Sequence, residues 1–322
     1  MRDRVLAGAL VVPFLVGAAA APSHPGHVEL TFRDPDIIES SGLVVRDGLV
    51  VTTNDSGDSG RVFTVDPATG QTVGVTHWSD DPTDVEALAP AGDHDVWVGD
   101  IGDNGVSRDS VQVARVPVGR GDTTVDPTTY DLTYPDGPAN AETLLSDPTT
   151  GRLYIATKDV FGGTLYAAPA RLDASGTNRL RRVGPVLPIA TDGAFLPDGK
   201  HLILRDYSQA VVYTFPGLED VASFELPDQD QGEGLAVDGG SLLVSSEGRQ
   251  EPVLRVPLPA DVRRSLEPAR ATSSTSPSAP STAAGTRQSD QEQTDRPVWP
   301  WLLTGGLVLG GLAVLIRSLR PR

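Results

Sequence analysis

The sequence predicts an all-β protein, a β-propeller built of four-stranded blades, and three observations predict it. From Val28 to about Leu258, short runs of Val, Leu, Ile and aromatic residues are broken by Gly, Pro, Asp and Asn without helical periodicity. A phrase of acid, strand, turn, strand and acid recurs five times in that stretch. Successive copies begin about 40 to 56 residues apart, which is the length of one blade.

The first copy runs from Glu39 to Asp55 through the turn Asp47-Gly48, and the second from Glu86 to Asp100. The third runs from Glu142 to Asp159 through Asp147-Pro148-Thr149-Thr150-Gly151, and the fourth from Asp192 to Asp206 through Pro197-Asp198-Gly199. The fifth runs from Glu233 to Glu247 through Asp238-Gly239. In the second, fourth and fifth copies the two acids stand 14 positions apart; in the first and third they stand 16 and 17 apart. Two further strands fit after most copies, such as Arg61–Val65 and Thr72–His77, or Ser110–Pro117 and Thr129–Tyr134. After Val253–Leu258 the last copy has no fourth strand, and Val28–Phe32 is expected to supply it, closing the ring and removing a sheet edge. The count is five blades, or six if a long copy hides a divergent one; a β-sandwich is the rival architecture.

The first strand of a blade starts on the face to which the second returns, so the flanking acids converge on one mouth of the channel. The candidate cation ligands are Glu39, Asp55, Glu86, Asp100, Asp103, Glu142, Asp192 and Glu233, and a hard ion such as calcium suits their oxygens. Carboxylates gathered in this way repel one another unless cations, protons or arginines compensate, and Arg108, Lys158, Arg205 and Arg249 lie in or near the same turns. The candidate catalytic residues are Glu86, Glu142, Glu233 and Arg205. The alternative is structural: Asp and Asn in turns bind backbone N–H groups and knit the blades together. Gly57-Asp58-Ser59-Gly60 mimics a serine-protease motif but lacks the preceding His segment, and the sequence contains no P-loop, GxSxG or HExxH.

Gly99-Asp100-Ile101-Gly102-Asp103-Asn104 with Arg108, Thr191-Asp192 with Leu204-Arg205, and Gln231-Gly232-Glu233-Gly234-Leu235 carry a resemblance. Over residues 36–258 the chain resembles secreted bacterial propellers of the esterase-like phytase and SdiA-regulated groups, and more loosely TolB-like and lactonase or gluconolactonase propellers. The resemblance implies an acidic, calcium-binding channel mouth and, in some relatives, hydrolysis of phosphate or ester bonds. A phytase-like site also needs basic residues to hold phosphates, and only Lys158, Arg205, Arg108 and Arg249 are available.

Outside the propeller, residues 26–266, the sequence sets further expectations. Residues 1–20 read as a signal peptide: Arg2 and Arg4, an apolar run from Val5 to Val16, and small residues from Gly17 to Ala21 before Pro22. Residues 267–297 are rich in Ser, Thr and Pro and poor in large apolar residues, the composition of a disordered stalk. Residues 298–316 are apolar and just long enough to cross a hydrocarbon core of about 30 Å. Trp299 and Trp301 sit at the outer edge of this span; Arg317, Arg320 and Arg322 make residues 317–322 a basic cytoplasmic tail. The propeller is therefore expected on the extracellular side of the cell membrane, single-pass anchored.

The chain has no cysteine, so core burial, with or without a metal, must stabilise it, and 43 acidic against 26 basic residues give a net charge of −17. That charge argues against nucleic acid and anionic lipid as partners. Two functions remain: a surface module binding an extracellular protein, glycan or small molecule, with calcium at its mouth, and a metal-dependent hydrolase of an ester, lactone or phosphoester.

Overall fold

The computed structural model describes residues 26–55, 57–79 and 82–266. The expected signal peptide, stalk, membrane span and basic tail lie outside these residues. Among the described residues no helix is long and apolar enough to cross a membrane.

The described chain is a ring of five antiparallel sheets. The innermost strands are β2 (Ser40–Arg46), β6 (Val85–Ala91), β11 (Ala141–Ser146), β16 (Asp192–Phe195) and β20 (Gly232–Asp238). Each hairpins to its own second strand, namely β3 (Leu49–Asn54), β7 (Asp95–Asp100), β12 (Leu153–Thr157), β17 (His201–Arg205) and β21 (Ser241–Ser246). These ten strands are the five repeated phrases of the sequence, and the five-blade count holds.

The ring closes as the sequence predicts. Strand β1 (His27–Thr31) pairs antiparallel with β22 (Pro252–Pro257), the third strand of the last sheet, setting Leu30 opposite Val253. Two additions are new. The short strands β9 (Thr123–Val125) and β14 (Asn178–Arg179) pair in parallel with the outer edges of the first and second sheets, at β5 (Gln71–Trp78) and β10 (Thr129–Thr133). Each comes from the connection leading to a later strand, and each covers an edge that would otherwise stay unpaired. A short helix, α1 (Ala260–Leu266), follows the last strand and buries Val262.

The core lies between the blades. Val44, Val51 and Val62 of the first sheet pack with Val85, Leu88 and Val98 of the second. Leu43, Phe63 and Val65 on the opposite face of the first sheet pack with Leu30, Ala236 and Val253 of the last. The remaining neighbours share clusters of the same kind. Each blade is therefore buried on both faces, which explains the continuous Val/Leu/Ile runs of the inner strands. Gly42 of β2 lies so close to the backbone of Ala87 and Leu88 in β6 that a Cβ there would collide with it.

The inner strands all begin at one end of the channel. At Glu86 and Glu142 the ladder bulges: Val85 opposes Asp100 and Ala87 opposes Gly99, while Ala141 opposes Thr157 and Thr143 opposes Ala156. Each glutamate is thus the extra residue of its strand. A comparable irregularity spans Glu233 and Gly234 in β20, and another Ser41 and Gly42 in β2. Bulges of this sort re-aim a side chain at the cost of a ladder bond. The inner hairpin of blade four has none, and Asp192 pairs regularly with Arg205.

Candidate functional site

The bulged glutamates form the centre of the candidate site. Glu86, Glu142 and Glu233 are 4%, 4% and 2% exposed, although each is a carboxylic acid. Lys158, just after β12, supplies the opposing charge: its Nζ lies 2.5 Å from Glu142 Oε2 and 3.9 Å from Glu233 Oε1. The same ammonium stands 5.0 Å from the ring centroid of Tyr207. Glu233 Oε2 is buried with no hydrogen-bond partner among the described residues.

Charge is underpaid at this mouth, and the titration of the acids reflects it. Burial pushes Glu86 up to about 10, and the charges of Glu142, Asp55, Asp84 and Glu233 add to the effect. Burial also raises Glu233 to about 8, with Glu142 contributing and Lys158 opposing. Glu142 rises to about 7, because burial outweighs the attraction of Lys158. For Lys158 burial works against the charge, but Glu142 and Glu233 hold its proton more tightly than usual.

Beside this centre a second feature forms where blade one meets blade two. Carboxylate oxygens of Asp55, Asp84 and Glu86 lie within 4.8 Å of one another. Asp55 follows the end of β3; Asp84 and Glu86 flank Val85 at the start of β6. Two oxygens bound to one calcium at 2.3–2.6 Å can be at most about 4.6–5.2 Å apart, so this spacing fits a shared calcium. Asp84 is raised to about 6 by burial first, then by Asp55. One of its oxygens, Oδ1, is buried without a hydrogen-bond partner among the described residues. Gly102 makes the approach possible: its amide donates to the Asp84 carbonyl at 3.1 Å, and a Cβ there would fall on the Asp84 carboxylate.

The other sequence-predicted residues serve the scaffold. Asp100 accepts from the amides of Thr83 and Asp84 at 3.0 and 2.9 Å and from Arg108 Nη1 at 2.7 Å. Asp103 accepts from the amides of Ser107 and Arg108. Asp192, fully buried, accepts from the amides of Gly193 and Leu235 at 2.8 and 2.6 Å, while burial raises its pKa. Glu39 bridges by its backbone to Glu247, whose carboxyl burial also raises. Arg249 donates to the Pro35 carbonyl.

Arg205 is 0% exposed and turns its guanidinium to backbone carbonyls: Asp206 at 3.0 Å, Gly234 at 3.1 Å and Ser245 at 3.4 Å. Burial lowers its pKa to about 10. It ties blade four to blade five, and its charge also acts on Glu233.

Sequence reasoning missed Asp84 and Tyr207. The signal for Asp84 was Asp84-Val85-Glu86, since alternate residues of a strand share a face. The rim carries a further feature. Among the described residues the exposed large hydrophobics include Val106, Val160, Phe161 and Tyr207, at 55%, 69%, 100% and 38%. All four lie in loops that leave the second strands of three consecutive blades, on the face of the acidic mouth.

No protein-family profile matches the sequence, and no curated protein does. Solved structures do. A glutaminyl cyclase from Myxococcus xanthus aligns over 73% of this chain and 97% of its own, with 12% identity and a TM-score of 0.47. A gluconolactonase from Xanthomonas campestris aligns over 74% and 99%, with 12% identity and a TM-score of 0.43. A nidogen/laminin complex aligns over 65% and 73%, with 17% identity and a TM-score of 0.40. At such identities the likeness says nothing of activity. The strand order of its own five sheets makes this chain a five-bladed β-propeller.

Proposed function

We propose that the protein is a cation-dependent binding module whose channel mouth holds calcium at Asp55, Asp84 and Glu86 and takes a hydroxyl-rich, uncharged ligand of the glycan class. The observation that carries this reading is the convergence of three carboxylates, one of them the buried Glu86, within 4.8 Å. A hard dication relieves their repulsion and keeps open positions for ligand oxygens. The acidic surroundings disfavour anionic ligands, and the exposed Phe161, Val160 and Tyr207 offer an apolar rim to a sugar face. In this reading the propeller stands outside the cell on the stalk of residues 267–297, anchored by residues 298–316.

Calcium titration of the protein by calorimetry, paired with melting curves, tests the reading. Heat of binding and a raised melting temperature are expected, both lost in Asp84→Asn. Their absence in the unmutated protein removes the proposal.

A second reading rests on Glu142. A buried carboxyl titrating at about 7 is suited to a general base, and a calcium ion nearby could polarise an ester or phosphoester oxygen. Turnover of p-nitrophenyl esters or phosphoesters that Glu142→Gln abolishes would favour this hydrolase; no turnover with calcium bound leaves the binding module.

A further inference from the structure

The opposite end of the channel holds a cavity of about 440 Å³, within the range of small-molecule sites, roughly 300–1,000 Å³. It is lined where inner strands finish rather than where they start: Arg46 ends β2, Leu144 and Leu145 lie late in β11, and Ala194 and Phe195 close β16. It shares no residue with the acidic mouth.

Arg46 is the unusual member. Its Nε is buried without a hydrogen-bond partner among the described residues, and its only hydrogen bond there is a long one, from Nη2 to the Asp95 carbonyl at 3.5 Å. The nearby acids are engaged elsewhere. Asp95 pairs with Arg115 at 2.7 Å, and Asp47 meets His94 at 3.1 Å. Asp147, itself in the lining, accepts from the Thr149 amide and the Thr150 hydroxyl at 2.8 and 2.6 Å. Asp93, the remaining acid of the lining, belongs to the exposed turn between β6 and β7. A half-buried guanidinium whose Nε is shielded without a partner is costly, and its planar fork matches a carboxylate. Pro90, Pro148 and Ala194, which keep exposed surface, supply an apolar wall beside it.

We propose that this cavity is a second ligand site, binding a small apolar carboxylate whose charged group pairs with Arg46 and whose hydrocarbon part lies against Pro90, Pro148 and Ala194. The site is independent of the cation at the other mouth.

The test is ligand-observed NMR titration of the full chain in excess EDTA, which removes any route through a bound cation. The probes are phenylacetate, 2-phenylethanol and inorganic phosphate. Phenylacetate is expected to bind at least about tenfold more tightly than either of the others, and Arg46→Met to remove that advantage while keeping the melting temperature. Equal binding of phenylacetate and 2-phenylethanol to the unmutated protein overturns the proposal without any variant. So does undiminished phenylacetate binding by folded Arg46→Met, or phosphate binding as tightly as phenylacetate.

Discussion

Lys158 reaches into the channel and sets its ammonium 2.5 Å from the Glu142 carboxylate, so the basic end of one inner hairpin neutralises the acidic start of the same hairpin. Both partners are largely shielded, with side chains 18% and 5% exposed. Lys158→Met therefore takes the ammonium from Glu142 and leaves Glu233 only the more weakly coupled Arg205. We expect a loss of up to about 3 kcal/mol, the low end for a broken buried pair because Lys158 keeps some contact with solvent. Urea unfolding measures it, and the double variant with Glu142→Gln should lose less than the two single losses together. A Lys158→Met protein as stable as the parent would show that the pair is not needed.

The same acids make stability depend on pH. Glu142 and Glu233 keep their protons in the fold up to about 7 and 8, against 4.5 as the ordinary glutamate value. Between those limits the folded state binds more protons than the unfolded chain. Their stabilising contribution is complete below about 4.5 and is lost as pH rises through 7 and 8. In EDTA the melting temperature should fall from pH 5 to 8. Saturating calcium should raise it at pH 8 by mass action. A melting temperature that climbs over this interval in EDTA contradicts the assignment.

Gly102→Ala is expected to weaken calcium binding by roughly 10- to 100-fold, the range for residues that position metal ligands, since the new methyl displaces the Asp84 carboxylate. Calorimetry reads the affinity, and circular dichroism verifies that the sheets persist.

Arg205→Lys separates a structural arginine from a catalytic one. Lysine cannot reproduce the fork that reaches Gly234 and Ser245, so we expect a stability loss of about 1.5–3 kcal/mol with calcium affinity unchanged. Chemical denaturation and calorimetry together decide the matter.

Phe32 follows the closing strand and is 1% exposed in the cluster joining the first and last blades. Phe32→Ala should cost about 3–5 kcal/mol by urea unfolding. A loss below about 1 kcal/mol, the cost of a minor surface change, would mean that the closure contributes little.

The ring was legible because each inner hairpin repeats one local grammar. Acid, buried strand, Asp/Gly turn and buried strand all concern neighbours in sequence, and turn chemistry and period-two burial are local. The closing role of Val28–Phe32 followed from counting strands. The parallel additions Thr123–Val125 and Asn178–Arg179 escaped notice, because they are too short and polar to stand out and depend on an edge brought close by folding. The site was partly legible. Glu86, Glu142 and Glu233 converge as expected, but Asp192 in the matching position does not join them. The difference lies in the bulges, which a sequence does not display, since an extra residue in a ladder is defined only by its partner strand. Arg205 shows the converse limit: its residue type suggests chemistry, and only its burial among carbonyls shows what it does.

The pairing of Leu30 with Val253 joins positions 223 residues apart, whereas every other sheet is assembled around its own consecutive hairpins. Loops of that span close late, and contacts of high sequence separation slow folding. A nascent chain thus carries four finished blades and one unfinished, with the free side of Pro252–Pro257 open to any passing strand. Until its own first segment arrives, this molecule is at its most vulnerable to a stranger's, and a second copy offering the same segment could exchange it and link two rings.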